Sequence, residues 1–253
     1  MTSTVNQINT DLASIFDWST RNGLCLNSQK TQVMAIYRNE PPSLPPVKVN
    51  DTTIPYSTKI KNLGVLMNCN LTWDDQISSV VSGVYGALSR LWQSADFTPE
   101  ETRRRLVVAL LLPKFQYCDV LYSQSSEGNK ARLNKCYNSC ARYVYSIRTR
   151  ESISQYAKKI TGRTLGQMYG YRICSLYRKL SSQRGPAYLF AKLRFGRSQR
   201  TNIIIPPRHN YTEHGNSFFV KGASMWNSLP LEIRSTSSNE AFEKSDYLHT
   251  STQ

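Results

Sequence analysis

The stretch IKNLGVLMNCNLTWDDQISSVVSGVYGALSRLW, residues 60–92, changes its hydrophobic rhythm once, at Trp73. Before that point it reads as a short strand with a glycine in it. After it, Ile77, Val80, Val81, Val84, Leu88 and Leu91 recur at the spacing of one buried helical face. Asp74 or Asp75 suits the start of that helix, where a carboxylate meets the positive end of the helix dipole. The change of period divides the chain into a strand-bearing part over 1–72 and a helical part from 73 onward.

Upstream, residues 4–21 predict an amphipathic helix with Ile8, Leu12, Ile15 and Phe16 on one face. Asn22-Gly23 is its stop signal. KTQVMAIYR (30–38) has the composition of a strand, and Asn27 is expected to cap the turn before it. NEPPSLPP (39–46) carries four prolines and reads as a stiff loop. Further short strands are expected near 47–49, 52–57 and 60–67, with Asn50-Asp51 as a turn.

Downstream, Thr98-Pro99-Glu100-Glu101 predicts a helix start. Thr98 caps it, Pro99 takes the first position and Glu101 completes a capping box. That helix reaches about Pro113, with a kinked continuation to Tyr117. Another spans about 128–147 with Leu133, Cys136, Cys140 and Val144 inward. Helices follow over 151–160, 164–183 and 186–195. The last fifty residues read as a strand at Ser217–Val220 and short helices at 222–228 and 238–248. No internal repeat is visible. The predicted class is α+β, mostly α. It comprises a small antiparallel β unit over 1–72, a basic helical bundle over 73–200 and an irregular C-terminal tail over 201–253.

The chain has 253 residues, of which 40% are hydrophobic, enough for a core. Its longest apolar run, Leu106–Leu112, falls far short of the roughly 20 residues that span a bilayer, so no membrane span is expected. MTSTVNQINT has neither the basic head nor the apolar stretch of a signal peptide. The expected location is therefore intracellular, in nucleus or cytoplasm. The net charge is +15, and its distribution is uneven. Residues 1–96 are neutral, residues 97–200 hold 21 basic and 5 acidic residues, and residues 201–253 are close to neutral. A localised basic surface with tyrosines among its cations points to nucleic acid, and next to an anionic membrane surface.

Six cysteines occur without any CxxC pair. Cys136 and Cys140 share a helical face, and with His209 and His214 they could suggest zinc. Buried structural thiols fit better, because the paired spacing of zinc motifs is missing. The three histidines form no Ser/His/Asp or Cys/His arrangement, and no Gly-rich phosphate loop is present. Trp73, Trp92 and Trp226 read as core anchors.

Four segments in order carry a resemblance: NGLCLNSQKTQVM (22–34), IKNLGVLMNCNLTWDDQI (60–77), RRRLVVALLLPKFQY (103–117) and FFVKGASMWNSLPLEIRS (218–235). They resemble the end of the palm, the primer grip, the thumb and the tail of reverse transcriptases from non-LTR retrotransposons of the arthropod type. The resemblance implies a part of an RNA-directed DNA polymerase that clamps an RNA–DNA hybrid or duplex without reading sequence. Its missing partners would be the upstream palm and fingers. Lys30 matches the lysine proposed to protonate the departing pyrophosphate, and Leu63, Gly64 and Val65 match the primer grip. The thumb cations would be Arg103, Arg104, Arg105, Lys114, Lys135, Arg142, Arg148 and Arg150. These would meet template–primer phosphates.

The family's aromatic-x-Asp-Asp loop is not in this sequence. Asp74-Asp75 is the only Asp-Asp pair, Thr72 stands where the aromatic should be, and Asp119 is a single carboxylate. Two-metal phosphoryl transfer needs several acidic oxygens around a pair of ions. The Mg²⁺ of an intact polymerase therefore has no expected site here, and the chain is expected to be inactive alone. Met1 just downstream of that loop's place suggests a truncated frame. The competing readings are a host-retained nucleic-acid-binding module and a peripheral membrane or protein-interaction module.

Overall fold

The computed structural model describes residues 2–38, 43–122, 125–148, 150–196, 202–210, 212–236 and 242. Two compact units divide it, Met1–Gln76 and Ile77–Gln253. The class is α+β, mostly α, with three two-stranded antiparallel sheets among the described residues.

In the first unit, helix α1 (Thr2–Arg21) ends where expected. Gly23 takes φ 71°, and the amides of Gly23 and Leu24 bond back to Thr20 and Ser19. Its packed stripe differs from the one expected. Val5 and Ser19 are buried with Leu12 and Phe16 partly so, while Ile8, Ile15 and Trp18 are exposed. Asn9 fixes the stripe, since its amide Nδ2 donates to Pro46 O and its Oδ1 accepts from Lys48 N.

That contact seats the hairpin of β1 (Val47–Val49) and β2 (Thr52–Ile54), which buries Val47, Val49 and Ile54. A second hairpin pairs β3 (Lys59–Asn62) with β4 (Val65–Asn68), so the single strand expected over 60–67 is two strands, because the chain reverses at Leu63 and Gly64, both at positive φ. The expected strand at 30–38 is not one. Its only ladder contact among the described residues is a single bridge, Val33 with Tyr56, plus a Tyr37 N to Cys69 O bond. β propensity needs a neighbouring strand to become a ladder, and both hairpins already pair with themselves. Helix α2 (Asp74–Trp92) starts in this unit. Asp75 accepts from Lys59 Nζ at 2.6 Å, and Gln76 Oε1 accepts from Leu66 N at 2.9 Å.

In the second unit, the rest of α2 buries Ile77, Val80, Val84 and Leu88. A 3₁₀ turn (Ala95–Phe97) leads to α3 (Glu100–Leu106), a π-helical turn (Val107–Leu111), α4 (Leu112–Gln116) and α5 (Asp119–Tyr122). The expected capping box does not form. Thr98 Oγ1 donates back to Ser94 O at 2.6 Å, Pro99 is the N-cap, and the Glu101 carboxylate serves Arg104 and Arg105. The π turn has a cause in Pro113, which lacks an N–H and crowds the carbonyl four residues back. Leu112 N reaches Val107 O instead.

Helix α6 (Glu127–Tyr145) places Leu133, Cys136, Cys140 and Val144 inward, as its period predicts. Then come α7 (Ser154–Ala157), a 3₁₀ turn (Lys158–Ile160) and α8 (Leu165–Gln183), which opens on a full capping box between Thr164 and Gln167. After α9 (Ala187–Phe190), β5 (Arg194–Phe195) pairs with β6 (Ile204–Ile205). The chain continues through α10 (Thr212–Gly215), a π-helical turn (Phe218–Gly222), α11 (Ala223–Ser228) and α12 (Leu231–Ser235).

The π turn replaces the strand expected at Ser217–Val220. Tyr177 stacks on Phe218 at 4.6 Å between ring centroids, and its hydroxyl donates to Phe218 O at 2.9 Å. The described part of residues 201–253 thus shares a core with α8: Ile173, Tyr177 and Leu180 meet Ile204, Ala223, Trp226 and Phe242. Of the helix expected at 238–248, only Phe242 lies within the described residues.

Candidate nucleic-acid interface

Arginine side chains at the ends of helices α3 and α6 do two different jobs. Arg103 Nη1 donates to Tyr143 O at 3.0 Å and to Ser146 Oγ at 2.5 Å. Arg142 Nη2 donates to Glu151 O at 2.9 Å, and its Nη1 donates to Arg148 O. The C-terminal turn of a helix leaves carbonyls without amide partners, so Arg103 satisfies that of Tyr143 and opposes the negative end of the α6 dipole, while Arg142 ties down the loop after α6. Arg104 forks onto Glu101 with two 2.9 Å bonds and reaches Ile160 O at 3.3 Å. These three arginines are ties within the fold.

Arg105 shares Glu101 at 3.1 Å, but its side chain is 77% exposed. Arg104 and then Arg105 hold the Glu101 carboxyl down at about 2. Lys114, Lys135, Arg148 and Arg150 are exposed. Their side chains make no ion pair with the described residues. Lys135 and Arg142 both lie on α6, and the Arg142 guanidinium is drawn to the carbonyls of Arg148 and Glu151.

Sequence reasoning missed part of this surface. Lys159 Nζ lies 5.0 Å from the centroid of the Tyr156 ring, and Tyr156 packs on Tyr145 at 5.4 Å. Lys158 and Lys159 are both exposed, in the 3₁₀ turn that follows α7. The Lys-Lys pair inside the basic segment was the available signal. Three of the segment's five acids are consumed by neighbours, in the pairs Glu101–Arg104, Glu127–Lys130 and Asp119–Arg172. Only Glu100 and Glu151 remain as acids against the segment's other cations.

Trp226 is fully buried, with Nε1 donating to Asn202 O at 2.9 Å. Trp73 is partly buried. Trp92 departs from its reading as a core anchor: it is half exposed and meets Tyr143 edge-on at 5.3 Å.

In the first unit, Leu63 and Gly64 form the tip of the second hairpin at φ 47° and 87°. Both positive values fit the right-handed twist of a two-residue turn. Val65 is buried, and Leu63 is 86% exposed. Lys30 is exposed in the turn after Asn27, whose Oδ1 accepts from Lys30 N at 3.1 Å. The expected Asn27 cap is thus present without the strand that was to follow it.

Cys136 and Cys140 are fully buried, and burial pushes the Cys136 thiol up to about 12. His209 and His214 stack edge to face at 6.1 Å. Among the described residues no group of three or more His, Cys, Asp or Glu side chains is placed to hold a metal ion. None of the described helices is long and apolar enough to cross a membrane. No family model, curated protein or solved structure matches the chain.

Proposed function

We propose that the chain holds duplex or hybrid nucleic acid through phosphate contacts, as the end-of-palm, primer-grip and thumb part of a reverse transcriptase of the non-LTR retrotransposon kind, without carrying out synthesis itself. One observation supports the binding reading above all. Residues 97–200 carry a net +16, and among the described residues Lys114 and Lys135 on helices and Arg148 and Arg150 in the loop after α6 are exposed. Charge held on a folded surface meets phosphates at fixed spacing and reads no base edges. The narrower family reading rests on the four ordered sequence segments.

The test is a titration of the full chain against an RNA–DNA hybrid across a salt series, with phosphatidylserine vesicles in parallel. Each neutralised phosphate contributes a slope of about −0.9 in log K against log salt on duplex DNA. Combined Lys135→Glu, Arg148→Glu and Arg150→Glu substitutions should weaken binding to all sequences alike. Salt-insensitive binding, or preference for the vesicles, overturns the reading. Primer extension on an RNA template with Mg²⁺ or Mn²⁺ should give no product, and template-dependent incorporation would remove the inactivity from the proposal.

A further inference from the structure

A groove of about 1030 Å³ opens in the second unit between α8 and the segment after α11. One face of α8 supplies a wall, because Tyr171, Ser175, Arg178, Lys179 and Ser182 fall at helical spacing i, i+4, i+7, i+8 and i+11. Arg172 and, from the far side, Arg234 add two further cations. No aspartate or glutamate lines the groove among the described residues.

The guanidiniums are held in place. Arg172 Nε donates to Asp119 at 2.9 Å and its Nη2 to Gln116 O at 3.0 Å, which uses two of its five N–H donors. Arg178 lies 5.1 Å over the Phe242 ring and donates to Thr236 O at 3.3 Å, and Arg234 Nε donates to Leu229 O at 2.9 Å. Cations fixed before a ligand arrives lose less freedom when it binds. The hydroxyl oxygens of Ser175 and Ser181 are enclosed and have no hydrogen-bond partner. Such a buried hydroxyl without a partner is a cost to the fold, which an acceptor in the groove would relieve after a turn of the side chain.

We propose that this groove binds a phosphomonoester, either a free nucleotide or the 5′-phosphorylated end of an oligonucleotide, with Lys179 and Arg172 facing the phosphate and Ser175 and Ser181 donating to it. A dianion with three acceptor oxygens fits several converging donors better than a carboxylate does. The volume far exceeds that of a phosphate, and Val120, Leu176 and Tyr171 offer apolar wall for an attached nucleoside. The site is separate from the exposed cations of the proposed nucleic-acid interface and does not rest on that reading.

Calorimetric titration of the full chain with AMP tests it, with adenosine, inorganic phosphate and 5′-phosphorylated or 5′-hydroxyl oligonucleotides as competitors. One AMP should bind saturably, adenosine should not displace it, and inorganic phosphate should compete only weakly. Lys179→Glu, an exposed position, should weaken AMP at least about tenfold, and Ser175→Ala several-fold. Lys135→Glu should leave AMP binding unchanged. Displacement by the 5′-phosphorylated strand alone assigns an oligonucleotide end, and AMP binding undisturbed by either strand assigns a free nucleotide. No saturable AMP binding, displacement by adenosine, inorganic phosphate competing as strongly as AMP, or indifference to Lys179→Glu overturns the proposal.

Discussion

Arg103 and Arg105 are two residues apart on one helix, yet only one of them holds the fold. Arg103 serves the Tyr143 carbonyl and the Ser146 hydroxyl beyond α6. Arg103→Ala should cost about 1–3 kcal/mol in urea unfolding, because charged hydrogen bonds to a partly buried carbonyl are lost. Arg105→Ala should stay within about 0.5 kcal/mol, as for other exposed ion pairs. Asp119 is the other residue with a distinct signature. It is 1% exposed, Arg172 Nε donates to its Oδ1 at 2.9 Å, and its Oδ2 lies 2.8 Å from the same nitrogen without a well-aligned bond. Burial therefore outweighs the Arg172 charge and raises the carboxyl to about 6. An acid with a raised folded-state value holds its proton more tightly when folded. Its burden on stability is absent below the ordinary carboxylate range and complete above about 6. The urea midpoint should fall as pH rises from about 4 to 6.5, and Asp119→Asn should flatten that part of the profile. An unchanged slope in the Asn variant would refute the assignment. Glu101 runs the opposite way: its stabilisation is present above the ordinary range and fades as pH falls toward about 2.

At the level of elements, two glycines make opposite predictions. A Cβ at Gly222 would come 2.6 Å from Tyr177 Cε2 and 3.2 Å from Ile173 Cγ2, both packed core atoms. Gly222→Ala should destabilise the second unit by about 1–3 kcal/mol or more. A Cβ at Gly170 would meet only the mobile end of Met225, at 3.0 Å, so Gly170→Ala should cost much less and regain helix propensity. Thermal unfolding of the two variants side by side checks the contrast. The second hairpin offers a gain. Leu63 occupies a left-handed turn position with its side chain in solvent, where asparagine is favoured. Leu63→Asn should stabilise the first unit by about 0.5–1 kcal/mol, read from slower amide exchange across residues 59–68.

Across the whole molecule, burial is unequal. The first unit buries little beyond Val5, Val47, Val49, Ile54 and Val65, and leaves Ile15, Trp18, Ile36 and Leu63 exposed. The second buries Phe115, Tyr122, Leu133, Tyr143, Ile173, Tyr177 and Trp226. Apolar burial sets the scale of stability, so amides before Gln76 should exchange well before those of α6 and α8. Equal protection in both units would contradict this. The same inequality explains what was legible. Long periodic helices such as α2, α6 and α8 are visible in sequence, because one face repeats over many turns. The segment 30–38 misleads, because a β-rich composition says nothing about whether a partner strand is free. The face of α1 misleads as well, because Asn9, a polar residue, fixes the side that meets the hairpin.

The sequence by itself determined the fold class, the change of period at Trp73, the Gly23 helix stop and the confinement of positive charge to 97–200. Each of these depends on local spacing or counting. Only the tertiary structure decided which of those charges are available. Arg103 meets an acceptor 40 residues away, Arg104 one 56 residues away, and Arg172 a carboxylate 53 residues away. Local patterning cannot name such partners, because a guanidinium bonds whatever carbonyl the folded chain brings to it. For the same reason the π turn at 218–222 and the basic groove beside α8 appear only once distant segments are packed together.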